Sequence, residues 1–383
     1  MGTLNRQAAV QLRAVLQGHI DRGLIPGAVA MISLNGETCF SEALGRRDPA
    51  ADDAMQANSI FRIYSMTKPI VSVAALMLVE QGRLQLTDAV SHYLPMFARQ
   101  EVVVVQDAKT VGRVPVLREA TVHDLLRHTA GFTYEFMGDG PVQQQYTAAA
   151  LGSRKRSNLE FCEALAAIPL AFQPGSCWEY SRATDVLGAL LEVVGGRPLG
   201  ELLTAMVFEP LGMNDTGFSV PEGQHGRLAE AFAADPQSGD PVTLMPNRSV
   251  PRFHSGGGGL LSTATDYSRF LLLLRNRGSL AGMRLLSPQM LAWMTADHLG
   301  AIAVRGDLLS AGDGFGLGFA VRTHAGLAPT PGSVGSYFWS GLGGTSFFVD
   351  PAHDLFAMLL TQAPGQREYF IRLWRQLVYG ALD

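Results

Sequence analysis

The stretch Tyr64-Ser65-Met66-Thr67-Lys68-Pro69-Ile70-Val71-Ser72-Val73-Ala74-Ala75-Leu76-Met77-Leu78-Val79 sets a serine and a lysine at the head of an apolar run. On a helix, Ser65 and Lys68 are one turn apart, so their side chains share a face. A serine at a helix start also lies where unpaired N–H groups favour developing negative charge. Its hydroxyl needs a base, and a lysine that is desolvated or near another cation can lose enough basicity to serve. The local alternative is a capping serine beside an exposed lysine. The chain has only three lysines (Lys68, Lys109 and Lys155), so a Ser-x-x-Lys tetrad is uncommon in it.

Outward from this stretch, the pattern divides the chain. Residues 5–22 place Leu12, Leu16 and Ile20 at helical spacing, and two β-like runs, 27–34 and 37–44, flank the hairpin dipeptide Asn35-Gly36. From 66 to about 220 helical spacing dominates, over 71–81, 122–128, 158–167, 183–194 and 199–207. Thr121 and Asp124 form a capping box for the second of these. Residues 134–158 are polar and Gly- and Gln-rich, and read as a surface loop. After 225 strands return, at 315–322, 346–350 and 355–361. A helix capped by Thr263 lies before them and a closing helix over 370–379 follows. Strands at both ends around a helical middle predict one α/β unit made of 1–65 and 225–383, with an α-helical insertion over 66–224 and the active site in the cleft between them.

With 383 residues and 47% hydrophobic content, the chain has ample material for a core. Its 30 Lys+Arg against 34 Asp+Glu leave net charge −4 and no basic stripe, which argues against a nucleic-acid partner. Cys39, Cys162 and Cys177 are odd in number and widely spaced, with no Cys-x-x-Cys pair; a reducing compartment and no metal are expected. Asn5 and Arg6 stand where a signal peptide would carry its apolar run, and the longest apolar stretch, 70–79, is too short to span a bilayer. The expectation is a cytoplasmic protein without a membrane or organic-cofactor partner.

Two further segments carry chemistry. Tyr180-Ser181-Arg182 opens a helix, and a tyrosine there can pass a proton to a leaving group if cations hold its pKa down. Trp339-Ser340-Gly341-Leu342-Gly343-Gly344 precedes a strand, where glycines permit close backbone approach and an edge strand can offer an N–H to an oxyanion. Read alone, the first is a half-buried aromatic with Ser181 as cap and the second an ordinary turn. Other motifs fall away. No serine lies in Gly-x-Ser-x-Gly, His123 and His128 are not a His-Glu-x-x-His pair, and Gly256–Gly259 lacks the Gly-Lys-Ser/Thr of a phosphate loop. His254 reads as a structural residue.

Ser-x-x-Lys, then Tyr-Ser-x, then aromatic-Ser-Gly before a late strand resembles the serine β-lactamase and penicillin-binding-protein superfamily. With Leu125-Leu126-Arg127-His128-Thr129-Ala130-Gly131 and the 253–263 stretch, the chain is most similar to the family VIII carboxylesterases of the class C branch. That resemblance implies an antiparallel sheet flanked by helices. It implies Ser65 as the acylated nucleophile, Lys68 as its base and Tyr180 as the proton relay, with the order of the first proton transfer left open. It implies an oxyanion hole of the Ser65 and Leu342 backbone N–H groups, with Trp339, Ser340, Gly341 and Arg182 as substrate contacts. Trp339 stands where the lactamases carry lysine, and Arg182 where they carry asparagine. Loss of the strand lysine favours an apolar acyl or alcohol moiety, and the family likeness implies a short-chain ester as the small-molecule partner. Transacylase, amidase or weak β-lactamase activity, and a catalytically silent scaffold, are the alternatives. Natural substrate and oligomeric state stay open.

Overall fold

Asn5 accepts hydrogen bonds from the Gln7 and Ala8 amides and starts helix α1 (Arg6–Asp21), which buries Leu12 and Leu16. Asn35 and Gly36, at φ of 53° and 87°, turn β1 (Gly27–Leu34) back into β2 (Glu37–Asp48) with the positive dihedrals of a type I′ hairpin. The computed structural model describes residues 4–107 and 109–383, apart from the side chains of Lys109 and Val111. The first three residues of the predicted 1–65 segment lie outside it.

Six more strands complete the sheet: β3 (Asp53–Ala54), β4 (Asp313–Phe315), β5 (Ala320–Arg322), β6 (Tyr337–Ser340), β7 (Ser346–Asp350) and β8 (Leu355–Thr361). The order is β4-β5-β6-β7-β8-β1-β2-β3, and every pairing is antiparallel. The join of the two chain ends is β1 against β8, with Ala28 opposite Thr361 and Leu34 opposite Leu355. Strand alternation then sorts side chains between two cores. Ala28, Ala30, Ile32, Ala357 and Leu359 face α1 and the closing helix (Arg367–Gly380). Val29, Met31, Phe356, Met358 and Leu360 face the larger core, built on α2 (Thr67–Glu80), α3 (Ala183–Gly195) and α4 (Ala264–Arg275). Thr263 caps α4, and the Thr121/Asp124 capping box is present.

Four expectations fail, each for a local reason. The run 315–322 is not one strand: Gly316 and Gly318, the latter at φ 95°, turn it into the β4–β5 hairpin. The 134–158 stretch is not a surface loop, since it contains the helix Pro141–Ala148 and buries Tyr134, Val142, Tyr146 and Leu151. The helix expected over 199–207 passes into a π segment at Thr204–Phe208 and ends at Gly212, which has left-handed φ. The strand after the Trp339 turn, 346–350, is not an edge: it is β7, paired on both sides, and Trp339 itself lies on β6 before it. Among the described residues no helix is long and apolar enough to cross a membrane.

Candidate active site

Ser65 is presented by a chain reversal tied down on several sides. Phe61 and Arg62 pair with Ser262 and Leu261, and the Ile63 amide donates to Leu260 O at 3.1 Å. Tyr64 then takes φ 44°, a left-handed conformation that costs a non-glycine residue of order 1–3 kcal/mol. The 3-10 turn Tyr64–Met66 follows and runs into α2. Tyr267 OH donates to Met66 O (3.0 Å) and the Leu260 amide to Thr67 Oγ1 (3.1 Å), fixing the head of the helix. Ser65 precedes α2 and does not cap it; Met66 holds the cap position with no side-chain bond.

Lys68 is fully buried. Its Nζ meets three oxygens: Ser65 Oγ at 3.2 Å, Tyr134 OH at 3.0 Å and Gly257 O at 2.6 Å. Desolvation pulls its pKa down to about 7; the Asp185 charge works against that and the Arg182 charge adds to it. At neutral pH much of the amine is therefore uncharged, and the Ser65 O–H can point at its lone pair. Tyr180 OH donates to Ser65 Oγ at 2.6 Å from the other side. Burial raises the Tyr180 pKa, so it is a protonated phenol, while its hydrogen bonds with Ser65 and Trp339 offset part of that rise. The ammonium form of Lys68 sits 4.3 Å from the Tyr180 ring centroid.

The sheet closes the other side. Trp339 Nε1 donates to Tyr180 OH at 3.3 Å, so a neutral indole N–H stands beside the phenol. The Gly341 amide bonds Thr345 O (2.7 Å), the Gly344 amide bonds Gly341 O (3.0 Å), and Leu342 tops this turn with its side chain 45% exposed. A Cβ on Gly341 would collide with Ile63 O and Thr345 Oγ1, so glycine is what lets the turn lie against the segment carrying Ser65. Ser340 is half-buried and pairs across the sheet with Ser346.

Arg182, expected as a substrate contact, is held in two ion pairs. Its guanidinium is bound by Glu135 (2.7 Å from Nη2) and Asp185 (3.2 Å from Nη1), and lies 4.9 Å from the Tyr134 ring centroid. Three residues of the cluster carry no signature of their own in the sequence: Tyr134, Gly257 and Asp185. Gly257 lies in the Gly256–Gly259 run, so the run itself is the available signal. His128 bonds Ser181 through Nδ1 at 3.0 Å, and His254 accepts from the Gly200 amide and stacks on Phe218.

A beta-lactamase family model matches residues 12–381. The chain belongs to the beta-lactamase family. Membership makes it a serine hydrolase of that family. It is 36% identical over 353 residues to protein Rv1367c of Mycobacterium tuberculosis, covering 89% of this chain and 87% of that one. It is 34% identical over 378 residues to esterase EstB of Burkholderia gladioli, covering 92% and 90%. Among solved structures it resembles EstCE1, a hydrolase with promiscuous acyltransferase activity. That match has a TM-score of 0.82 and 30% identity, over 98% of this chain and 99% of that one.

Proposed function

We propose that this beta-lactamase-family enzyme is a carboxylesterase, of the family VIII kind, that cleaves small apolar esters through an acyl-enzyme on Ser65. The observation that carries the reading is the convergence on one hydroxyl of a fully buried amine at 3.2 Å and a neutral phenol at 2.6 Å. In this mechanism the uncharged Lys68 takes the Ser65 proton as Oγ bonds to the ester carbonyl carbon. The Ser65 and Leu342 N–H groups hold the oxyanion. Tyr180 gives its proton to the departing alkoxide and regains one from the Lys68 ammonium. Water then attacks the acyl carbon by the reverse proton path, releasing the acid and restoring Ser65. Esterase EstB supports ester cleavage as the reaction. The substrate side supports an apolar group: Arg182 is occupied by two carboxylates, while Phe136 (63% exposed, stacked on Tyr134) and Leu342 are open to solvent. In this reading the cleft runs between the helical segment bearing Tyr180 and the sheet bearing Trp339.

The promiscuous acyltransferase activity of EstCE1 favours a second reading, acyl transfer to an alcohol in place of water. Supplying an alcohol and measuring ester against free acid separates the two. The test of the first is Ser65→Ala with nitrophenyl butyrate: hydrolysis lost, melting temperature kept, and a butyryl adduct on Ser65 by intact mass in the unmodified enzyme. Full activity in the variant refutes it.

A further inference from the structure

The two oxygens that hold Lys68, apart from Ser65, are themselves held from behind by one ion cluster. Asp185, fully buried on α3, accepts from the Gly257 amide (2.9 Å) and Ser255 Oγ (2.5 Å), fixing the turn whose carbonyl meets Lys68. A Cβ on Gly257 would sit 2.8 Å from Tyr134 OH and 2.9 Å from Asp185 Oδ1, so the carboxylate, the turn and the phenol meet at one point. Arg182 binds Asp185 from the side and covers the Tyr134 ring, and Glu135 grips Arg182 through three contacts of 2.7 to 3.2 Å. Buried ion pairs like these are costly to break, because one partner is left charged and unpaired.

We propose that Arg182 is a positioning residue: braced by Glu135, it fixes Asp185 and Tyr134, and through them the seat and the charge state of the Lys68 amine, without touching the substrate. The proposal rests on Lys68 being the base for Ser65. The titratable and charged groups around Lys68 are Asp185 from α3, Arg182 at its N-cap, Tyr180 before it, Tyr134 and Glu135 from the segment after Gly131, and His128, which burial keeps neutral. Of these, Asp185 favours the ammonium and Arg182 opposes it. Removing Arg182 deletes the opposing charge and leaves Asp185 unneutralised, so both effects favour the ammonium. Removing the Asp185 charge does the reverse on both counts.

The test is the pH dependence of kcat/KM for nitrophenyl butyrate in Arg182→Met, Arg182→Lys and Asp185→Asn. The Met variant should move the acid limb up by about one pH unit, losing about tenfold below the limb and recovering in alkali. Asp185→Asn should move the limb down, and Arg182→Lys, which keeps the cation, should stay near the unmodified enzyme. A raised KM with an unmoved limb would mean that Arg182 meets the substrate and would overturn the proposal, as would equal shifts in the Met and Lys variants. If Arg182→Met does not fold, the Lys and Asn variants still decide by whether their limbs separate. Fluorophosphonate labelling of Ser65 in the unmodified enzyme tests the serine mechanism separately: failure to label removes that mechanism, whereas labelling with unmoved limbs removes only the role of Arg182.

Discussion

In the proposed mechanism the controlling quantity at Lys68 is the fraction of amine carrying no proton. A cation with a pKa drawn down to about 7 loses its proton as pH rises through that value, and only the free amine can accept from Ser65. Esterase kcat/KM should therefore climb with pH through about 7 and level off above it; a profile flat from about pH 6 to 9 would exclude Lys68 as the base. Trp339 poses a narrower question, since its N–H reaches Tyr180 OH and not the serine. Trp339→Phe removes one hydrogen bond, worth about 1 kcal/mol net, and should lower kcat about fivefold. The loss should be larger for ethyl butyrate than for nitrophenyl butyrate, because nitrophenolate leaves without a proton; equal losses would place the indole outside the proton path. Ser65, Lys68 and Tyr180 are legible in the sequence because a scarce lysine, a serine one turn away and a helix-opening tyrosine are local patterns. Tyr134 is not, because its bond to Lys68 spans 66 positions and nothing beside it marks the contact. Arg182 reads as a substrate contact for the same reason: its partner Glu135 lies 47 positions away.

Elements disclose themselves where a long apolar run or one apolar face marks them, and stay hidden where they are too short to show either. Residues 337–340 do not read as a strand because β6 is only four residues long and its Tyr-Phe-Trp-Ser lacks the apolar–polar alternation of a half-exposed strand. The helix Pro141–Ala148 is equally hard to see, because only Val142 and Tyr146, four apart, mark its buried side. By contrast the Asn35-Gly36 hairpin and the Thr263-capped helix are visible, since turn and cap chemistry is confined to a few neighbouring residues. The turn after β6 gives the clearest functional prediction at this scale. Gly341→Ala would press on Ile63 O and Thr345 Oγ1, lifting the turn from the Ser65 segment and moving the Leu342 N–H. Losing one oxyanion donor costs about a hundred- to a thousandfold in kcat, and a loss in that range is expected. The acid limb should remain near the unmodified position, because no contact of Lys68 changes. A variant with unaltered kcat would remove Leu342 from the oxyanion site.

Across the whole molecule, the sheet separates a core that serves chemistry from one that serves cohesion. Strand runs at both ends of the sequence foretell a sheet built from the two termini, but not that β1 pairs with β8, because register between segments more than 300 residues apart leaves no local trace. That pairing makes the closing helix a clamp: it packs with α1 on the face away from Ser65, and Trp374 lies against the Phe40 ring in the cluster that also holds Leu12 and Leu16. Tyr180, Trp339 and Met66 belong to the opposite core. Trp374→Ala should therefore cost about 3–5 kcal/mol of stability, as large-to-small changes in a packed core do, and lower the melting temperature clearly. Below that transition the folded enzyme should keep its kcat, KM and acid limb, since Trp374 belongs to the cluster on one face of the sheet and Tyr180, Trp339 and Met66 to the cluster on the other. The measurement is a thermal melt beside a pH–rate profile taken well below the midpoint. A tenfold fall in kcat with the protein still folded would show that the two cores are coupled through the sheet, and that the seat of Lys68 depends on packing on its far side.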